Sequence, residues 1–351
     1  MTVRFKPRLM APLLGAFSLL CAAPSPAQSS AQDSQLSLLL RVQPELVYVD
    51  GRAADAAGTD GFEVTDGWGA GRSNTLNWGG FFINGSHAIS DQTRAFVRVG
   101  FNIDAEGLKD GDSKNRQVYA GIDTAVGEFS AGRIQTAYKA AGLGWDPLNA
   151  TFLQARGNGG RSGGALGHGA QFDRSVTYRQ NFGGASIRVM ASLDDDVASD
   201  ATGDDDHLTS ASIHLPAGPI ELIGAYLDAS GYEGGPDDRD ALKLGARYSE
   251  GAWSGALMHE RRGEGLENGN FTFLSGSYKQ GDWRFMANLG LFSDDDNAND
   301  GEYFALAARY ELHNMVSVHG GVRQLDRDIT GKERVAGLGL RIRLNSGNLL
   351  N

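Results

Sequence analysis

Residues 93–105 read T-R-A-F-V-R-V-G-F-N-I-D-A, and apolar and polar side chains alternate along this stretch. One parity is apolar and holds Ala95, Val97, Val99, Phe101 and Ile103. The other parity is polar or charged and holds Arg94, Arg98, Asn102 and Asp104. Successive side chains of a β-strand point to opposite faces, so the pattern predicts a strand with one apolar face and one polar face.

The same alternation recurs along the chain, from residues 36–49 to residues 333–344, and we predict sixteen strands. Short turns are predicted at residues 89–92, 123–127, 181–184, 216–218, 249–252, 279–282 and 311–314. Longer polar connections, rich in acidic residues, are predicted at residues 194–207, 228–240, 262–270, 293–302 and 325–332. An even number of strands joined alternately by short and long connections is typical of an antiparallel up-and-down β-barrel of the outer membrane. The predicted fold class is therefore all-β, a transmembrane barrel.

The two parities also predict which face meets the membrane. Lipid cannot hydrogen-bond a polar group, so the apolar parity faces the bilayer and the polar parity faces the lumen. This predicts lumenal cations at Arg41, Arg98, Arg133, Arg179, Arg188, Lys243, Arg247, Arg284, Arg309, Arg323, Arg341 and Arg343. Aromatic girdles are predicted near strand ends at Tyr48, Tyr178, Tyr226, Tyr248, Trp253, Trp283 and Tyr310. A soluble sandwich would instead bury the apolar parity against a second sheet.

The amino terminus is predicted to be a secretory signal peptide. Three cations within the first eight residues precede an apolar run at residues 9–23, and Ser25-Pro26-Ala27 offers a small-x-small cleavage site. The predicted organisation is a signal peptide at residues 1–27, a barrel at residues 28–344 and a carboxy-terminal tail at residues 345–351.

Charge and cysteine content narrow the class of protein. The chain has 32 Lys and Arg against 43 Asp and Glu, a formal net charge of -11, which disfavours binding to nucleic acid. Its single cysteine, Cys21, lies within the predicted signal peptide, so disulfides play no part. The expected partners are outer-membrane lipid and lipopolysaccharide, small hydrophilic solutes and ions, with no nucleic acid.

Residues 137–171 interrupt the strand pattern. They carry no alternation and are rich in glycine. Loops longer than about 12–15 residues without structure of their own are uncommon and usually functional. We expect this stretch, the third long loop, to fold into the lumen and set the bore of the barrel.

Several motifs carry a resemblance to the general, trimeric, sixteen-stranded porins of Gram-negative bacteria. Residues 41–51 look like the first strand of that family, and residues 115–121 (N-R-Q-V-Y-A-G) are similar to its Arg-Gln-Ala-Tyr-Val-Gly segment. Gly132-Arg133 followed by Tyr138 resembles the Gly-Arg-x-Tyr that leads into the inward-folded loop, and residues 175–179 look like the strand after it. The resemblance implies a homotrimer, and a basic ladder role for Arg133 and Arg179.

The chain departs from the family pattern in two places. The family's last strand ends the chain on an aromatic residue, whereas Leu344 holds that position here and residues 345–351 follow. The family's third loop usually carries several acids. Here Asp146 is the only acid between residues 136 and 171.

The predicted constriction and pore lining comprises Arg133, Arg179, Arg41, Arg98, Lys139, Asp146, Arg156, Arg161 and Arg188. Rings of cationic side chains favour anions, and a narrow bore focuses their field. We therefore expect passive diffusion of ions and small hydrophilic solutes with weak anion selectivity. Alternatively, the loop arginines point to the extracellular rim or pair with lumenal acids such as Asp104 or Glu221. A channel that prefers phosphate or another anion, and a plugged structural or adhesive barrel, also remain open.

Catalysis is not expected. The seven histidines are scattered, and no G-x-S-x-G or H-E-x-x-H motif occurs. No cofactor and no metal site are predicted. The aspartate runs at residues 194–196, 204–206 and 294–296 read as solvated loops, with divalent cation binding as the alternative.

Overall fold

The structure is a computed structural model that describes residues 34–51, 60–65, 79–103, 115–157, 159–163, 171–193, 207–229, 240–263, 268–295, 300–329 and 331–347. The predicted signal peptide, Asp104 and the aspartate runs at residues 194–196 and 204–206 lie outside these residues. None of the described helices is long and apolar enough to cross a membrane.

The described residues form eighteen β-strands and two short helical segments. The strands are β1 Ser34–Val42, β2 Glu45–Asp50, β3 Gly61–Thr65, β4 Gly80–Ser90, β5 Thr93–Phe101, β6 Asn115–Thr124, β7 Gly127–Gln135, β8 Gln171–Phe182, β9 Ala185–Leu193, β10 His207–Ala217, β11 Ile220–Asp228, β12 Asp240–Glu250, β13 Trp253–Arg262, β14 Gly269–Gln280, β15 Trp283–Asp294, β16 Gly301–His313, β17 Val316–Arg327 and β18 Gly331–Asn345. Helix α1 spans Ala137–Ala140, and a 3₁₀-helix spans Leu143–Trp145.

Four of these strands are halves of two wall strands. β18 pairs with β1 through Leu344 and Leu40, and with β2 through Leu338 and Leu46. On the other side β1 pairs with β4 and β2 with β3. Counted in this way, the wall has sixteen antiparallel strands, and the pairing of the last strand with the first closes it. The predicted all-β, sixteen-stranded, up-and-down barrel is confirmed.

The break between β1 and β2 lies at Gln43 and Pro44. Proline has no N–H to donate to the ladder, so the strand cannot pass through this position unchanged. The Pro44 carbonyl nevertheless accepts a hydrogen bond from Leu340 N at 3.0 Å, which keeps the wall closed there. The Gln43 side chain is fully buried inside the barrel.

The two faces of the wall divide as the alternation predicts. Leu257, Leu274 and Leu289 lie directly opposite one another on β13–β15, and each is about half exposed, at 53%, 49% and 48%. Their sequence neighbours Met258 and Phe273 point inward and are fully buried. An exposed apolar belt around the outside, with buried side chains within, is the arrangement that a bilayer requires of a barrel.

Aromatic side chains gather at the rim formed by the short turns. Trp253 packs on Tyr278 with ring centroids 4.4 Å apart, and Trp283 packs on Tyr310 at 4.9 Å. All four residues lie within five residues of a two-residue turn. At the opposite rim Tyr48 contacts Phe62 at 5.1 Å. The rings are placed where aromatic girdles of membrane barrels lie.

Some predicted boundaries differ from the structure. The last strand runs to Asn345, one residue past the predicted barrel end. Asn345 remains in the sheet because it pairs with Leu39. Ser346 continues the attachment by donating its N–H to the Leu38 carbonyl at 3.1 Å.

Candidate functional site

Residues 136–163, called the inner segment below, leave the wall after β7 and pack against its inward face. The Thr136 hydroxyl caps α1 by accepting a hydrogen bond from Lys139 N at 2.9 Å. Gly142, with φ of 67°, then turns the chain into the 3₁₀-helix. Tyr138, Phe152 and many other side chains of the segment are fully buried. Three groups of polar contacts hold it to the wall.

The first group fixes the amino-terminal end of the inner segment. Tyr138 N donates to Ser210 Oγ at 2.9 Å, and the Tyr138 hydroxyl donates to Glu260 Oε2 at 2.7 Å. Lys243 donates to the carbonyl oxygens of Tyr138 and Ala141 at 2.8 and 3.2 Å. A one-turn helix is marginal by itself. Its position is therefore set by β10, β12 and β13.

The second group is centred on Asp146. This carboxylate accepts hydrogen bonds from Leu148 N at 2.8 Å, Ala155 N at 2.9 Å and Asn288 Nδ2 at 2.7 Å. Asp146 is only 3% exposed. The Asp146 carboxylate therefore stabilises the fold of the inner segment and attaches the segment to β15.

The third group holds the middle of the inner segment against β2, β16 and β17. Phe152 N donates to Glu45 Oε2 at 2.9 Å, and Arg323 Nε donates to the Phe152 carbonyl at 2.9 Å. The Tyr303 hydroxyl donates to the Leu153 carbonyl. These contacts come from strands far apart in sequence, and together they place the segment across the inside of the barrel.

One wall glycine allows the closest approach. A Cβ added at Gly290 of β15 would lie 2.3 Å from the Cα of Gly160 in the inner segment. Real Cβ contacts are never this short, so only glycine fits at this position. The close approach brings the backbone of the segment against the wall.

Between the inner segment and β1, β4, β5 and β6 lies a passage of about 380 Å³. Its lining residues are predominantly polar: Arg41, Phe82, Arg98, Arg116, Gln117, Tyr119, Gln135, Lys139, Leu143, Asn149, Ala150, Arg156 and Gln171. Five of these carry cationic groups, and none carries a carboxylate. The described part of the passage is therefore positively lined on both sides.

The wall cations surround one aromatic ring. The guanidinium carbons of Arg98, Arg41 and Arg116 lie 4.4, 4.6 and 5.7 Å from the Phe82 centroid. A Cβ at Gly100 would come within 2.5 Å of this ring, so glycine lets Phe82 lie close against the wall. A ring face attracts cations, and here it helps to hold like charges together.

The inner segment supplies Lys139 and Arg156 to the opposite side of the passage. Burial, followed by the charges of Arg156 and Arg116, holds the pKa of Lys139 well below its ordinary value. Arg156 Nε donates to Gln154 Oε1 at 2.8 Å, which orients its guanidinium.

A second cavity, of about 520 Å³, continues towards the rim of short turns. It shares Arg98 and Tyr119 with the passage, and its lining includes Asp123 and Glu128 close to the turn after β6. The lining of this second cavity is therefore of mixed charge.

Sequence and structure comparisons identify the family. The family model of Gram-negative porins matches residues 16–330. The chain belongs to the Gram-negative porin family. The resemblance predicted from the motifs is confirmed, and porins of this family are channels rather than enzymes.

Solved structures share the porin's fold. An anion-selective porin from Comamonas acidovorans is 18% identical, covers 89% of this chain and 100% of its own, and gives a TM-score of 0.74. OmpF of Salmonella typhi is 13% identical over 90% and 99% of the two chains, at 0.69. OmpT of Vibrio cholerae in its trimer form is 14% identical over 89% and 99%, at 0.66. A comparison with curated proteins found no match.

The structure brings part of the predicted lining together in the porin. Arg41, Arg98, Lys139 and Arg156 all line the passage. Arg161 does not, because it is 1% exposed and its Nε lies 3.6 Å from Glu260 Oε1. Asp146, as described above, is also turned away from the passage.

Arg179 and Arg188 lie directly opposite each other on β8 and β9. Arg188 Nη2 donates to the Gln135 carbonyl at 3.3 Å. Neither arginine is among the described lining residues of the passage. They remain predictions for the channel wall outside it.

Arg133, also predicted to line the pore, is not among the described lining residues of the passage. Arg133 pairs across the sheet with Val118, which belongs to the exposed outer row. Its Nη1 donates to Asp173 Oδ2 at 2.7 Å, and Asp173 is 61% exposed. β8 carries an extra residue here, with Arg174 at φ of 47°, and this bulge sets Asp173 beside Arg133 on the outside.

Arg116 is the lining residue that sequence reasoning missed. Strict alternation from the inward Tyr119 would turn Arg116 outward. The register of β5 and β6 shifts between Gly100 and Phe101, so Arg116 is the extra residue of a bulge. Its Nη1 reaches inward to the Gly79 carbonyl at 2.8 Å. The motif at residues 115–121 held this arginine, but no sequence signal marked the bulge.

Proposed function

We propose that this porin is an anion-selective diffusion channel of the outer membrane for ions and small hydrophilic solutes. One observation carries the proposal: four arginines and a lysine line the described passage, and no carboxylate lies among them. The predicted acid that could have opposed them, Asp146, is committed to three hydrogen bonds within the protein.

The physical basis is the field inside a narrow, water-filled bore. A unit charge about 5 Å from a permeating ion contributes roughly 1–3 kcal/mol before screening, depending on the effective dielectric constant. Low-dielectric walls focus this field on the bore. Cations are repelled by the same amount, so the preference grows with each added arginine.

The wild-type porin should show the reversal potential of an anion-selective pore in a planar bilayer under a tenfold KCl gradient. A pore permeable only to anions would show a reversal potential of about 59 mV, with the sign expected for chloride. The preference should weaken at high salt, because the Debye length falls to about 3 Å at 1 M. A reversal potential with the sign of potassium would overturn the proposal.

We also propose that the mature porin is a homotrimer in outer-membrane lipid and lipopolysaccharide, after removal of residues 1–27. The apolar outer face of β13–β15 supports the lipid contact, and the trimer form of the similar OmpT supports the assembly. Native mass spectrometry of the porin extracted from outer membranes should give three copies, each beginning at residue 28. Detection of monomers only would contradict the proposed trimer. Chains that retain residue 1 would contradict the proposed removal of residues 1–27.

A further inference from the structure

A second cationic group lies on the wall away from the passage, centred on Arg309 of β16. Arg309 is 9% exposed, yet its Nε and Nη2 atoms have no hydrogen-bond partner among the described residues. A buried donor without a partner costs free energy, more so when the group is charged. Such an arginine in a folded protein requires a physical explanation.

Two arginines of the wall, on β17 and β18, show how the Nε and Nη2 edge of a guanidinium binds oxygen atoms. Arg323 Nε donates to the Phe152 carbonyl at 2.9 Å, and its Nη2 lies 2.7 Å from Glu333 Oε1. Arg341 Nε donates to Gln43 Oε1, and its Nη2 donates to the Ala150 carbonyl at 3.3 Å. In both, the edge formed by Nε and Nη2 binds two oxygen atoms. The same edge of Arg309 has the geometry to hold two oxygens of one anion.

One cross-strand neighbour of Arg309 adds positive charge, and the other is a histidine. Arg284 lies directly opposite on β15, and His319 directly opposite on β17. Opposed residues on one face have Cβ atoms about 4.5–5.5 Å apart, and like charges in this position are destabilising. A bound anion would turn this repulsion into attraction.

His319 is oriented by a separate contact. Its Nε2 lies 2.6 Å from Glu45 Oε1, and Gly339 lies between their two strands. A Cβ at Gly339 would come within 2.4 Å of His319 Cε1, so the glycine permits this contact. The other ring nitrogen, Nδ1, is buried and makes no hydrogen bond within the described residues.

Two carboxylates, those of Glu45 and Glu311, lie near Arg309. Glu45 accepts hydrogen bonds from Gln43 and Phe152, besides its contact with His319. Glu311 lies two residues further along the inward row of β16. No ion pair joins either of them to Arg309 within the described residues.

We propose that Arg309, flanked by Arg284 and His319, binds a small oxyanion of the phosphate or sulfate class. Two oxygens of the anion meet Arg309 Nε and Nη2, and Arg284 adds charge from the next strand. None of the three residues lines the passage, so the anion site is separate from the selectivity proposed above. It can exist whether or not the passage selects anions.

Selenate tests the anion site directly, because it is an oxyanion whose selenium scatters anomalously. Crystals of the full porin soaked in selenate should show an anomalous peak for selenium beside Arg309, placed so that two selenate oxygens accept hydrogen bonds from Nε and Nη2. The peak should disappear in Arg309→Lys, which keeps the charge but lacks the two-nitrogen edge. Absence of the peak in the wild type, or its persistence in Arg309→Lys, would overturn the proposal.

A measurement in solution separates the anion site from the passage. At equal ionic strength, selenate should raise the thermal midpoint of unfolding above its value in chloride for the wild type and for Arg98→Lys. The rise should be smaller for Arg309→Lys. An equal rise in wild type and Arg309→Lys would contradict the site. The reversal potential of Arg309→Lys should match the wild type, so failure of one proposal is distinguishable from failure of the other.

Discussion

Arg98→Glu combined with Arg116→Glu should abolish the anion preference of the porin. The two changes remove two positive charges and add two negative ones among the five cations that line the passage. At about 1–3 kcal/mol per charge before screening, the loss corresponds to at least a tenfold fall in the ratio of chloride to potassium permeability. Reversal potentials under a KCl gradient measure this fall directly.

Arg133→Glu is the matched control for Arg116→Glu. Both arginines lie near the same rim on adjacent strands, but Arg133 faces outward beside Asp173, whereas Arg116 reaches towards Phe82. We expect Arg116→Glu to shift the reversal potential and Arg133→Glu to leave it within error of the wild type. If the Arg133 change had the larger effect, the assignment of the passage would have to be abandoned.

Asp146→Asn should release the inner segment and widen the channel. An amide nitrogen cannot accept a hydrogen bond, so at least one of the donors Leu148 N, Ala155 N and Asn288 Nδ2 loses its acceptor. Each unsatisfied buried donor costs about 1–3 kcal/mol. The barrel ladders are untouched, so single-channel conductance should rise while the thermal midpoint of the barrel changes little.

Gly290→Val tests the same attachment from the wall, because the Cβ of the new valine would overlap the Cα of Gly160.

Two controls match the changes Asp146→Asn and Gly290→Val. Asp173→Asn removes an exposed carboxylate, and Gly276→Val places a side chain where a Cβ would have nothing within 4 Å. Both controls should keep the wild-type conductance. Unchanged conductance in Asp146→Asn and Gly290→Val would show that the inner segment does not limit the bore.

The sequence predicted the wall of the barrel well, because strand alternation is a local property. Each residue of β5 or β18 faces lipid or lumen according to its parity, and the physics of the bilayer tells which parity is apolar. The alternation of short and long connections gave the strand count. The glycine-rich stretch after β7 was identified because it breaks both regularities.

The residues at the passage could be predicted only where strand parity is unbroken. Arg41 and Arg98 lie on regular strands, and their inward direction follows from their neighbours. The bulge of β6 shifts the parity locally and turns Arg116 inward, and the bulge of β8 places Asp173 beside Arg133. A bulge depends on how two strands pair, and a single strand's sequence does not record it.

The sequence by itself determined the barrel, the direction of its regular strands and the position of the inner segment along the chain. Only the tertiary structure decided which charges meet in the passage. Asp146 and Arg161 are charged residues of the inner segment, yet Asp146 binds Asn288 and Arg161 lies against Glu260, two residues from distant parts of the chain. Lys139 and Arg156 of the same segment face the arginines of β1, β5 and β6. The physical reason is that alternation acts between neighbours in sequence, whereas the field in the passage is summed over side chains brought together by closure of the barrel.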